Sequence, residues 1–107
     1  MTFEIGNPLD FEALVCGNAT LVEGVAVKFV GFEEFRFALA KPLSKFQVFE
    51  LSSGRFIAES DTQSDALIAA CNILSTKGVE GIKAALAQFP SILHNETPSQ
   101  QKGKDGE

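Results

Sequence analysis

Residues 46–59, FQVFELSSGRFIAE, carry the pattern from which the rest of the chain is read. Apolar and polar residues alternate on both sides of Ser52-Ser53-Gly54, the period of two that marks half-buried strands. A three-residue hairpin loop closes on a left-handed residue, which glycine adopts without a Cβ clash, so Gly54 sets the expected register. In that register Leu51 is expected opposite Arg55, Phe49 opposite Ile57, and Val48 opposite Ala58. Facing residues share one side of a sheet. One side then holds Phe46, Val48, Phe56 and Ala58, and the other Gln47, Phe49, Leu51, Arg55, Ile57 and Glu59.

Toward the N-terminus the same alternation recurs. Val25, Val27 and Phe29 form one strand, and Phe35, Phe37 and Leu39 another, ended by Lys41-Pro42. Gly31-Phe32-Glu33-Glu34 connects them. Met1–Ile5 and Leu9–Val15 read as two short strands separated by the turn signal Gly6-Asn7-Pro8, with a helical turn after Pro8 as the other reading. Gly17-Asn18 closes this stretch.

Toward the C-terminus the period lengthens. Thr62 can cap a helix by accepting the amide of Asp65, whose charge also suits the positive first turn. Ala66, Leu67, Ala70, Cys71 and Leu74 form an apolar stripe, and Gly78 is a natural stop. Val79, Ile82, Leu86 and Phe89 mark a second helix ended by Pro90. The expectation is an α+β fold: an antiparallel β-meander of four to six strands with two C-terminal amphipathic helices packed on one face. Residues 1–94 make one domain. Residues 95–107, NETPSQQKGKDGE, contain no apolar side chain and are expected to be a disordered polar tail.

Composition narrows the function classes. The 107 residues are 45% hydrophobic and 21% charged, and all the aromatic mass is ten Phe. A net charge of -5 without a basic run argues against nucleic-acid binding and against adhesion to an anionic membrane. Residues 46–74, the hairpin followed by the helix with SDALIAACNIL, resemble the end of a double-stranded RNA-binding domain. That family grips phosphates with lysines at the start of its last helix, where this chain has Gln63, Ser64 and Asp65. RNA binding is therefore not expected.

No catalytic set emerges. His94 is the only histidine, and metal binding needs more His or Cys ligands than the chain owns. Cys71 lies on the helix stripe as a small hydrophobe, and Cys16 has no histidine to activate it. No phosphate-binding glycine pattern occurs, and no cofactor is expected. The N-terminus lacks the basic start and apolar run of a secretory signal, so a cytoplasmic location with reduced thiols is the default.

One surface remains. The expected core face holds Val25, Val27, Phe29, Phe35, Phe37, Leu39, Phe46, Val48, Phe56 and Ala58. Phe49 and Ile57 fall on the other face, flanked by Arg36, Gln47 and Arg55, the composition of an interaction surface. These five residues are the candidate partner-binding set, unless the N-terminal strands or the second helix cover them. The expected function is a small non-enzymatic protein-interaction module, docking a partner or itself as a homodimer. The alternative is a small-molecule-binding domain or enzyme with a Phe-lined cavity between sheet and helices.

Overall fold

The computed structural model describes residues 2–88. The tail, His94, Phe89 and Pro90 lie outside the described residues. Five strands precede one helix: β1 (Phe3–Val15), β2 (Asn18–Phe29), β3 (Phe37–Ala40), β4 (Phe46–Glu50), β5 (Arg55–Ser60) and α1 (Gln63–Leu86). The strands pair in sequence order as an antiparallel meander. Among the described residues the fold is α+β, with one helix following the strands.

The N-terminal third departs most from expectation. Gly6-Asn7-Pro8 is not a turn between two strands. It lies within β1, where the pairing slips between Ile5–Val27 and Pro8–Val25. A bulge of this kind tolerates a proline, which has no N–H to donate, and it bends and twists the strand. The actual turn is Cys16-Gly17, with φ of 52° and 82°. Two residues at positive φ match the twist of a tight hairpin. Strand β2 therefore begins at Asn18, well before Val25.

Strand β3 pairs only with Gly24–Val27 of β2. Beyond Gly24 the two long strands continue as a free ribbon, which curls over the sheet. At the crossing, a Cβ on Gly24 would run into the Leu39 carbonyl oxygen and sit 2.9 Å from Ala40 Cβ and 3.1 Å from the Phe11 ring. Glycine is required there by close approach. The ribbon's inner residues Phe11, Ala13 and Val22 pack with Ala38, Ala40, Phe49 and Leu51 as one core. The Phe11 and Phe49 rings lie 5.4 Å apart and tilted, a geometry that adds to their area burial.

The β4–β5 register also differs. Val48 faces Ala58 as expected, but Phe49 faces Phe56 and Glu50 faces Arg55. Gly54 has the expected positive φ of 72°. The strands nonetheless diverge already after Glu50, sooner than expected, and a bulge absorbs the difference. A one-residue slip exchanges faces. Phe56 therefore turns to Phe49, its ring 6.4 Å away, while Ile57 packs with the helix-side core.

That second core joins Phe29, Phe37, Leu39 and Val48 of the sheet to Ala66, Leu67, Ala70, Leu74 and Ile82 of α1. Thr62 caps the helix, its hydroxyl accepting the Asp65 N–H at 3.2 Å. The expected pair of helices is corrected to one element. Gly78, at φ 71° and ψ 172°, interrupts the regular geometry, but the helix resumes at once and runs to Leu86. Burial of Ile82 keeps the second half on the same core. Lys83 also ties it to the β2–β3 connection through an ion pair with Glu34 at 3.1 Å.

Phe49 is fully buried and Phe56 is 46% exposed. Phe49→Ala is expected to cost about 3–5 kcal/mol in urea denaturation, and Phe56→Ala about half of that. Gly24→Ala is expected to destabilise by about 1–3 kcal/mol through overpacking at the crossing.

Candidate functional site

The five residues singled out from the sequence do not share an open face. Phe49 is sealed beneath the ribbon, and Ile57 is half-buried on the helix side. Gln47 is half-buried and donates to Glu59 Oε1 at 3.0 Å across the β4–β5 pair. Arg36 and Arg55 are exposed. The Arg36 carbonyl accepts the Leu51 N–H at 2.9 Å, and the Arg55 N–H donates to Ser53 Oγ at 3.2 Å. The apolar cluster that motivated the set is divided between two cores.

The exposed sheet face lies on the ribbon itself. Phe11 faces Val22, and Ala13 faces Thr20. Phe11, Ala13 and Val22 point inward and are buried. By strand alternation the intervening pairs, Asp10–Glu23, Glu12–Leu21 and Leu14–Ala19, form the outer face. Leu21 is 67% exposed, the most exposed large apolar side chain among the described residues. Three carboxylates surround it: Glu12 opposite, Glu23 two residues along and Asp10 diagonally. Asp10 and Glu23, both exposed, face each other directly across the pair.

This face has a firm backing. The Leu14 N–H donates to the Gly54 carbonyl at 2.7 Å, tying the ribbon to the β4–β5 turn. That turn is in turn held by Glu50, a carboxylate only 3% exposed. Its oxygens accept the Ser52 and Ser53 N–H groups, both at 2.9 Å, and the Ser52 hydroxyl at 2.7 and 2.8 Å. A buried charge is tolerable when its lone pairs are filled in this way. Glu50 thus holds the turn through its carboxylate.

Other candidate chemistry is sparse. No group of three or more His, Cys, Asp or Glu that could hold a metal occurs among the described residues. Cys16 is exposed at the ribbon turn, and Cys71 is half-buried with its thiol pKa pushed up by burial. Glu33 is held below the usual carboxylate range, chiefly by accepting the Gly31 N–H. Lys83 is raised by its hydrogen bond and charge pairing with Glu34. Both are exposed fastenings of the β2–β3 connection. An apolar recess of about 320 Å³ opens between β5 and the end of α1, lined by Ile57, Ile73, Ile82 and Leu86. No described helix is long and apolar enough to cross a membrane.

No protein-family model matches the sequence, and no curated protein or solved structure matches it.

Sequence reasoning missed Leu21, Asp10 and Glu23 because it missed the first half of β2. The signal is weak in Ala19-Thr20-Leu21-Val22-Glu23, between Gly17 and Gly24, because Leu21 and Val22 stand side by side and break the alternation. It lacks the aromatic residues that flag the later strands. Glu50 was overlooked because its role depends on Ser52 and Ser53 folding back onto it.

Glu50→Gln removes the anionic acceptor from a buried turn and is expected to cost about 1.5–3 kcal/mol in denaturant melts. Hydrogen exchange at the Leu14 amide is expected to accelerate in the same variant, because its acceptor sits in that turn.

Proposed function

We propose that the chain is a non-enzymatic, cytoplasmic protein-interaction module that docks a partner, or a second copy of itself, through the exposed outer face of the ribbon. The observation that carries this reading is Leu21, two-thirds exposed at the centre of a strand face that is packed from behind. A large apolar side chain presented on a rigid surface and rimmed by polar groups is the anatomy of a docking site. Burial of Phe49 argues against the sheet face around it as the contact. Arg36 borders this face, in the recess lined by Asp10, Glu12 and Leu21, and Arg55 borders the recess beside the end of α1.

The reading as a small-molecule binder has one observation in its favour, the apolar recess beside Ile73 and Leu86. Such a site needs polar groups to orient its ligand. Glu50, Ser53, Arg55 and Lys77 are the polar groups lining this recess, and the β4–β5 turn already engages Glu50 and Ser53. Thermal-shift screening addresses this reading directly, since a ligand of the folded state raises Tm.

Leu21→Ser is the decisive variant, compared with Ile68→Ser, an exposed apolar position on α1. Both are expected to fold with wild-type stability, checked by melting. Quantitative affinity capture and light scattering are then compared between them. Captured proteins or self-association lost with Leu21→Ser and retained with Ile68→Ser support the ribbon face. Loss with Ile68→Ser alone, or with neither, overturns it.

A further inference from the structure

The outer ribbon face also carries information about the chemistry of its partner, and this step rests on the docking reading above. Asp10, Glu12 and Glu23 are the charged residues of that face, and its pairs include no lysine or arginine. Two carboxylates directly opposite one another on adjacent strands repel. Asp10 and Glu23 stand in this arrangement, with Leu21 beside them. Among the described residues, Arg36 borders the recess lined by Asp10, Glu12 and Leu21, and Lys41 the one lined by Leu21 and Glu23.

A second copy of the chain fits this face poorly. Self-association through it would stack the carboxylates of one ribbon on those of the other, and each chain already carries a net charge of -5. Juxtaposed like charges disfavour an interface, whereas complementary potentials steer and select one. A cationic side chain placed between Asp10 and Glu23 relieves their mutual repulsion. The alkyl stems of lysine and arginine also pack on apolar surface while keeping the charge outward. Leu21 offers that surface next to the carboxylates.

We infer that the occupant of this face is a cationic protein segment carrying an apolar side chain, and not a second copy of this chain. The contact area is a two-stranded ribbon, so recognition is expected to be fast and salt-sensitive.

The test uses the full chain and a labelled peptide of alternating lysine and leucine, with a glutamate–leucine peptide as control. Binding is read by fluorescence anisotropy and located by amide chemical-shift changes. The lysine–leucine peptide is expected to perturb residues 10–14 and 19–23. Its affinity is expected to fall about tenfold or more on raising salt to about 0.5 M. It is expected to fall roughly five- to tenfold in the Asp10→Asn/Glu23→Gln double variant. Equal binding of the acidic peptide, or self-association that Leu21→Ser abolishes, overturns the inference. If Leu21→Ser abolishes peptide binding but charge neutralisation does not, the charge inference fails and the docking reading stands. Shifts confined to other surfaces overturn both.

Discussion

The packing of Phe11 on Phe49 determines how this small sheet is finished. A meander with one helix has a second face to cover, and here no second layer of helix exists among the described residues to cover it. The chain uses its own first hairpin. Phe49 is buried only because the ribbon folds back across β3 and β4, and the ribbon can fold back only where Gly24 admits the crossing backbone. The β1 bulge and the Cys16-Gly17 turn supply the bend and the reversal. Two cores result, one on each side of the sheet, sharing the strands as a common wall.

That arrangement also produces the surface features. Once Phe11, Ala13 and Val22 are committed inward, alternation leaves Asp10, Glu12, Leu21 and Glu23 outward. The exposed face is therefore a by-product of the buried one. Its rigidity comes from the same source, reinforced by the Leu14–Gly54 hydrogen bond and the carboxylate-held turn beneath it. On the helix side, the continuation of α1 past Gly78 extends the core to Ile82 and leaves the apolar recess beside β5.

The legible and illegible regions of this fold have distinct physical origins. Strands rich in Phe and Val declare themselves by period, and Thr62 announces the helix start by a local hydrogen bond. Such signals are short-range. The β4–β5 faces are misread from sequence because a bulge depends on packing across the sheet, which alternation alone does not encode. The five candidate residues do not share one open face for that reason, and because burial of Phe49 depends on a ribbon far upstream in the chain. Gly78 illustrates the converse. Its positive φ is foreseeable from its residue type, yet whether the helix stops or continues depends on what Ile82 can bury.

The tether between Leu14 and Gly54 has a consequence for how the molecule assembles. Every strand pairs with its sequence neighbour, so each hairpin can form with little loop-closure entropy. The exception is the return of the ribbon to the β4–β5 turn, which links residues 14 and 54. That closure has to wait until β4 and β5 have formed the turn that carries its acceptor. Because the same closure seats Phe11 on Phe49, loosening it would bring Phe49 into contact with water.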